Sequence, residues 1–416
     1  MGVGTWWRAR RARTLMDRSL HDLRSGRFGE AEAAAREAAN IRAEVLGPAA
    51  PQTFACRLVV ARALYFQQRW AATEQEVREC LALSTATGTG SPVVAQLRTL
   101  LASTLCQACR LAEAETEARA AIAARPEGAD PGEETPHDVL AMVLGDQGHH
   151  AEAAELLETI AAARASRVGA GHPLVLKGRS DRLQCLAYLG RHEEFDAEAD
   201  ALRAAAAELP GVNGVLVSLA VANARAFSLN LRGRFPEAVD VLGPALAKSR
   251  QGLRADRFER VLRLGLARAL TGQGQAEAAI EEVEAAQTLY DRRPQVGHDL
   301  SAIHLARADA LLALGRAAEA EQESRRCLTV CEQSIGARHH RTLEARTVLG
   351  EALAATGRTA EATACLDAVA TDWDTHFGSG HHGTVRARTA LQSVGTPGWA
   401  RHAQVTTGGC AAARDA

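Results

Sequence analysis

The chain has few aromatic residues, almost no lysine and almost no net charge. Aromatic side chains make up 4% of its 416 residues although the hydrophobic class reaches 47%, so the apolar content is mainly Ala, Leu and Val. That composition suits closely packed helices and argues against a β-sandwich, whose strands favour aromatic and β-branched residues. The 48 basic and 50 acidic residues nearly cancel. This balance gives no electrostatic reason to expect binding to nucleic acid or to an anionic membrane.

Sequence motifs for catalysis, cofactors and metals are also missing. Lys177 and Lys248 are the only lysines, and neither lies in the Gly-rich phosphate-binding loop that requires one. The chain has no His-Glu-x-x-His and no Gly-x-Ser-x-Gly. Cys106 and Cys109 form a C-x-x-C, but no second ligand pair is near in sequence, so core packing is the favoured interpretation. We therefore predict that the protein is not an enzyme, has no catalytic residues and holds no cofactor or metal.

The sequence also predicts where the protein works. No run approaches the ~18 consecutive apolar residues of a membrane-spanning helix. The first residues include Trp6 and Trp7 followed by arginines, without the apolar segment of a secretory signal. This short run could touch a membrane or nucleic acid, or it could simply begin the first helix, which we favour. Nine cysteines, an odd number without a disulfide pattern, indicate a reducing compartment, so we predict a cytoplasmic protein.

One short phrase recurs along the chain: Gly, Arg, two variable residues, Glu and Ala. It reads Gly26-Arg27-Phe28-Gly29-Glu30-Ala31 in the first copy and Gly357-Arg358-Thr359-Ala360-Glu361-Ala362 in the last. Successive copies lie 39–43 residues apart, which predicts a stack of repeats rather than one globular core. The first position of each copy, here called the reference residue, is Gly26, Gln68, Cys109, Gly148, Gly190, Gly233, Gly274, Gly315 or Gly357.

Other positions keep a fixed distance from the reference residue and predict two helices in each repeat. Leu stands four residues before it in eight of nine copies, a small residue seven before it in eight, and Ala five after it in seven. Helix A should end at the reference residue, where glycine tolerates a positive φ, and helix B should start a few residues later. Small residues would let the A and B backbones approach closely. Neither helix can bury its apolar face alone, so each repeat needs its neighbours.

Together with a proline 17 positions before four of the reference residues, these features resemble the tetratricopeptide repeat (TPR) family. The period and linkers such as Val168-Gly169-Ala170-Gly171-His172-Pro173 resemble its kinesin light-chain type, which is common among bacterial relatives. The resemblance implies an all-α fold, a right-handed α-solenoid of nine helical pairs plus a closing helix over residues 14–394. Residues 1–13 would form a basic, aromatic lead-in. Residues 395–416, rich in Gly, Thr and Ala, would form a flexible tail.

The resemblance also implies where a partner binds, because helix A lines the concave groove of TPR proteins. Groove positions fall about 13, 10, 6, 3 and 2 residues before each reference residue. They carry aromatic groups beside Asn, Gln and Arg, a mixture that anchors peptides, although packing between repeats is a near-even alternative for each aromatic. The Lys/Asn carboxylate clamp of chaperone-binding members does not appear at matching positions. The predicted partner-binding residues are Arg62, Tyr65, Phe66, Lys177, Gln184, Tyr188, Asn223, Phe227, Asn230 and Arg268.

The function implied by the resemblance is a non-catalytic scaffold that holds a protein or peptide segment in this groove. Neither nucleic acid nor a membrane is expected as a partner, and the oligomeric state stays open. Two alternatives also stay open. One is a peptide-sensing or signalling regulator. The other is the sensor arm of a nucleotide-binding signalling ATPase of the NB-ARC type that is encoded separately.

Overall fold

The all-α prediction is confirmed. A computed structural model describes residues 3–87, 92–124, 135–250, 256–292 and 297–395, and every regular element in these ranges is an α-helix. The predicted tail lies outside the described residues, apart from residue 395. The chain divides into two compact units, Met1–Arg182 (unit 1) and Leu183–Ala416 (unit 2).

Unit 1 contains eight complete helices and most of a ninth. The predicted lead-in contributes to the first of them, because α1 begins at Val3. Trp6 and Trp7 are more than half exposed there, and Arg10 lies over both rings. The helices are α1 (Val3–Arg24), α2 (Phe28–Leu46), α3 (Pro51–Phe66), α4 (Trp70–Thr87), α5 (Pro92–Gln107), α6 (Leu111–Ala123), α7 (Pro136–Asp146), α8 (His150–Val168) and α9 (Pro173–Tyr188), which crosses the boundary.

Unit 2 begins with the last turns of α9 and continues with ten more helices. Its final helix, α19, has no B helix after it in the described residues and corresponds to the predicted closing helix. The helices are α10 (His192–Glu208), α11 (Gly211–Leu231), α12 (Phe235–Arg250), α13 (Asp256–Gly272), α14 (Ala276–Arg292), α15 (Gly297–Ala313), α16 (Ala317–Ser334), α17 (His340–Ala355), α18 (Thr359–Phe377) and α19 (His382–Gln392).

Helices alternate between two roles in both units. Odd-numbered helices are the A helices and even-numbered ones the B helices; each B helix starts two residues after its reference residue. In unit 2 each A helix from α11 to α17 packs on its own B helix and on the next A helix. In unit 1 the same holds for α1, α3 and α5. The A helices therefore form one continuous layer within each unit.

The backbone at the reference residue explains why the phrase recurs. All nine reference residues have positive φ, between 60° and 84°. Seven are glycine, which adopts this conformation without strain. The other two, Gln68 (φ 61°) and Cys109 (φ 60°), are the only non-glycine residues with positive φ in the described chain. The turn geometry is thus kept even where the favoured residue is absent.

We expect Gln68→Gly to stabilise unit 1 by about 1 kcal/mol, because glycine relieves the left-handed strain. The reverse substitution, Gly315→Gln, is a matched control in unit 2, since a Cβ at Gly315 would meet nothing within 4 Å and strain alone is tested. It should destabilise by a similar amount. Urea denaturation followed by far-UV circular dichroism measures both, and two changes of the same sign would contradict this account.

The Arg and Glu of the phrase form ion pairs on the B helices. Arg110 contacts Glu113 of its own B helix at 2.6 Å and Glu74 of the preceding B helix at 2.7 Å. Arg358 makes the same double contact with Glu361 and with Glu321, the latter at 2.7 Å. Each exposed pair contributes little to stability. Their repetition accounts for the charged part of the phrase.

Small residues seven positions before the reference residue make room for close helix packing, as predicted. A Cβ on Gly350 would lie 2.6 Å from Leu366 Cγ in the paired B helix. One helix, α11, is long and apolar enough to cross a membrane by length and composition, and 44% of its apolar window is buried inside the protein. Core helices of soluble proteins meet the same test. Its packing against α10, α12 and α13 fits a helix of this stack.

Candidate functional site

The A helices of unit 2 enclose a cavity of about 670 Å³. This volume is within the usual range of ligand pockets in proteins. Residues of the A helices α9, α11, α13, α15, α17 and α19 line it, together with Gly233 and Phe235 at the start of the B helix α12. Their apolar members are concentrated on α13 and α15, and charged members come from α13, α15, α17 and α19. The polar and charged lining residues are Gln184, Asn223, Asn230, Arg268, Thr271, Asp309, His340, Arg341, Glu344, His382 and Arg386, together with the Tyr188 hydroxyl.

Six of the ten predicted partner-binding residues line this cavity. They come from three helices, and their side chains range from half-buried to buried. Phe227 lies at the centre of the group: its ring centroid is 4.6 Å from that of Tyr188, and the Arg268 guanidinium lies 6.0 Å from it. The six are Gln184, Tyr188, Asn223, Phe227, Asn230 and Arg268.

The other four predicted residues belong to unit 1. Tyr65 and Phe66 form a surface aromatic cluster, in which Phe66 stacks on Phe28 at 5.2 Å and Tyr65 lies 5.1 Å from Trp70. Phe66 is 51% exposed, and Arg62 is half-buried. Lys177 is exposed and forms an ion pair with Asp181 at 2.9 Å. Their role in binding stays a prediction.

Tyr188 joins the first A helix of unit 2 to its last two. Its ring packs 3.8 Å from the His340 ring on α17, measured between centroids. Its backbone carbonyl accepts a hydrogen bond of 2.9 Å from His381 Nε2, 193 residues later. Burial raises the pKa of the Tyr188 hydroxyl well above its ordinary value, so the group stays neutral. These contacts link α9 to α17 and to the residue that precedes α19.

His381 holds this contact as a neutral imidazole. Its Nδ1 accepts a 3.2 Å hydrogen bond from the Gly383 backbone N–H at the start of α19, so Nε2 carries the proton that is donated to Tyr188. Burial, with His382 beside it, lowers the pKa of His381 to about 4. His172 and His339 cap α9 and α17 in the same way. The linker histidines therefore act as helix N-caps, and His381 also links α19 to Tyr188.

An ionic belt runs across the A helices on the cavity side. Arg268 of α13 pairs with Glu344 of α17 at 2.9 Å. Arg386 of α19 pairs with Asp309 of α15 at 2.8 Å and with Glu351 of α17 at 2.7 Å. The contacts of Arg268 with Glu344 and of Arg386 with Asp309 each pass over an intervening A helix. The belt therefore ties together helices that are not adjacent in the stack.

The belt stays ionised although it is largely buried. Burial tends to raise the pKa of Glu344, but Arg268 and His382 outweigh this and hold its pKa well below the ordinary value of 4.5. Burial tends to lower the pKa of Arg386, but Glu351 and Asp309 raise it well above its usual range. Each charge is stabilised by a neighbour of opposite sign.

Asn230 offers a buried hydrogen-bonding group at the cavity wall. Its Nδ2 donates to the Gly265 carbonyl at 2.9 Å, which fixes the orientation of the amide. Its Oδ1 is buried and has no partner among the described residues. Leaving a buried acceptor without a hydrogen bond costs about 1–3 kcal/mol of free energy. A ligand whose donor reaches Asn230 Oδ1 would remove this cost.

The sequence prediction missed several lining residues, although its own spacing rule reaches them. Asp309 lies six positions before Gly315, and Glu344 lies 13 before Gly357. In earlier repeats the same two positions hold Arg268 and Lys177, which are among the predicted partner-binding residues. Extending the rule through the eighth and ninth repeats would have found both carboxylates. Arg341 and the contact made by His381 follow no such rule and needed the structure.

Comparison with known proteins agrees with this architecture. Two models of the tetratricopeptide repeat family match the chain, over residues 138–174 and 299–371. Among curated proteins no sequence gave a significant match. The family matches, the paired helices and the recurrent left-handed turn together define the class: an α-helical solenoid. The two matched stretches, residues 138–174 and 299–371, therefore carry tetratricopeptide repeats, and the other helical pairs of the described residues have the same architecture.

Two solved structures share this fold. The apo form of the quorum sensor NprR from B. thuringiensis superposes with a TM-score of 0.55 and 12% identity, over 86% of this chain and 98% of that one. A Rap protein complexed with competence and sporulation factor superposes with a TM-score of 0.50 and 12% identity, over 92% of this chain and 97% of that one. Kinesin light-chain-like repeats from Podospora anserina are 20% identical over 59% of this chain and 96% of that one, with a TM-score of only 0.29.

Proposed function

We propose that unit 2 binds a peptide, or an extended segment of a protein, in the cavity between its A helices and does not catalyse a reaction. The observation that carries this proposal is the meeting of Gln184, Asn223 and Asn230 with Tyr188 and Phe227 around one 670 Å³ cavity. Amide side chains can bond both the N–H and the C=O groups of a peptide backbone. Aromatic rings beside them supply contact area for its side chains.

Display selection with matched variants tests the proposal. A random-peptide display library is selected against the wild-type chain, and enriched peptides are measured by calorimetry. Changing Asn223, Phe227 and Asn230 together to Ala should weaken binding at least tenfold, because each loses a polar or stacking contact. The variant with Glu277, Glu281 and Glu284 changed to Ala, three exposed residues of the B helix α14 that do not line the cavity, is the control and should bind as the wild type does. The proposal fails if the cavity variant retains full affinity or if no peptide is enriched.

A second candidate function is a cytoplasmic peptide sensor. Two structures with this fold are described as a quorum sensor and as a protein complexed with competence and sporulation factor, and these descriptions favour a signalling peptide as the ligand. A sensor must change conformation when it binds. Small-angle X-ray scattering with and without a selected peptide would detect such a change, and identical curves would argue for a static scaffold. A separately encoded ATPase as the protein's partner stays a prediction.

A further inference from the structure

We infer that the segment held in this cavity is uncharged and carries large apolar side chains. The inference rests on the proposed function, because it names the ligand class of the same cavity. Two observations carry it: one wall of the cavity is apolar, and the charges of the ionic belt are already engaged with one another.

The apolar wall is formed by α13 and α15. Leu264 of α13 and Leu305 and Leu312 of α15 line the cavity. Between them Ala302 and Ala306 are small and half-buried, so they leave space rather than fill it. Removing apolar surface from water contributes about 25 cal/mol per Å². A leucine or aromatic side chain of the ligand would bury its own surface and that of the wall together.

The ionic belt offers no excess charge to a ligand. Arg268 is engaged with Glu344, and Arg386 is engaged with both Asp309 and Glu351. A charged ligand would have to displace one member of such a pair and leave its partner without a counter-charge. Removing one partner of a largely buried pair is destabilising, because the charge that remains stays partly desolvated. An uncharged ligand avoids this cost.

Arg341 is the remaining charged group of the lining and the best candidate for an acidic ligand. Its Nη1 donates to Ser301 Oγ at 3.2 Å, which holds the guanidinium against α15. Burial tends to lower the pKa of Arg341, but Tyr188 and, to a smaller extent, Cys331, Cys327 and Asp299 raise it. The guanidinium therefore already lies among polar groups of the protein. We expect it to contribute little to ligand affinity.

The display selection tests this inference through the sequences it enriches. Enriched peptides should be uncharged and rich in Leu, Ile, Phe or Trp. Their Kd should change by less than about threefold between ~0.1 M and ~1 M NaCl, where the Debye length falls from ~10 Å to ~3 Å. Acidic or basic peptides with steep salt dependence would overturn the inference and leave the proposed function standing. Absence of any enriched peptide would instead remove the proposed function itself.

Two substitutions separate apolar recognition from charge recognition. Ala306→Phe fills the space between α13 and α15 and should weaken binding at least tenfold. The same substitution at the exposed Ala318 of α16 is its control and should have no effect. Arg341→Gln removes the remaining charge and should leave Kd within about threefold, with folding checked by circular dichroism. A tenfold loss in a folded Arg341→Gln variant, or full affinity in Ala306→Phe, would overturn the inference.

Discussion

Replacing Glu344 with leucine is expected to destabilise unit 2 by about 3–5 kcal/mol. Glu344 is almost fully buried, with its side chain 9% exposed, and its carboxylate is the ion-pair partner of Arg268 at 2.9 Å. The substitution leaves the Arg268 guanidinium, itself only 25% exposed, without its counter-charge. Removing one partner is costly because the other remains desolvated. Urea denaturation of the full chain, followed by circular dichroism, measures the change.

The double variant Glu344→Leu/Arg268→Met is the matched control. It removes both charges and replaces them with apolar side chains of similar length, so its stability should return to within about 1 kcal/mol of the wild type. Equal destabilisation of the single and double variants would show that the pair itself, rather than an unpaired charge, supplies the stability. That result would contradict the argument that displacing belt charges penalises a charged ligand.

The effect of Glu344→Leu should also depend on pH. The folded-state pKa of Glu344 lies below its ordinary value of 4.5, so the wild type gains stability from this group above pH 4.5 and loses it as the pH falls further. The leucine variant has no such group. The difference in stability between the two proteins should therefore narrow below pH 4.5. A difference that widens in acid would contradict the sign of this pKa shift.

The repeat architecture was predictable because each repeat carries the same local signals. Glycine at a positive φ, a small residue at the A–B contact and leucine beside it act within one helical pair, and a period in the sequence reveals them. The turn even persists at Gln68 and Cys109, where the backbone hydrogen bonds from Arg69 N–H to the Leu64 carbonyl and from Arg110 N–H to the Leu105 carbonyl are kept. Groove positions followed from the same register, which is why six predicted residues meet in one cavity.

The contacts that join distant A helices at the cavity were not predictable in this way. The hydrogen bond from His381 to Tyr188 joins positions 193 residues apart, and its geometry depends on the summed curvature of five repeats. Nor does the sequence show that Arg268 pairs with Glu344 of a helix two repeats on. Small rotations between repeats add along a solenoid and decide which distant A helices meet. The cavity is therefore a property of the assembled repeats, and none of them contains it alone.

Trp373 is the residue that fixes the closing helix to this assembly. Its side chain is completely buried in the core of the last repeat, with Leu343, Leu366 and Val369 around it. The indole N–H donates to Thr347 Oγ1 of α17 at 3.3 Å. On the other side α19 approaches so closely that a Cβ on Gly383 would lie 2.5 Å from the ring. One side chain of α18 thus holds α17 and α19 in register.

Trp373→Ala is therefore expected to destabilise unit 2 by about 3–5 kcal/mol, through lost burial and a cavity that the rigid repeats cannot fill. It should also weaken peptide binding, because α19 carries His382 and Arg386 into the cavity lining. Trp6→Ala is the matched control: Trp6 is 54% exposed, so its loss should change stability by less than about 0.5 kcal/mol. Urea denaturation measures the stability of both variants, and calorimetry measures their affinity for selected peptides. If Trp373→Ala unfolded earlier yet bound selected peptides with unchanged affinity, α19 would not be part of the binding site.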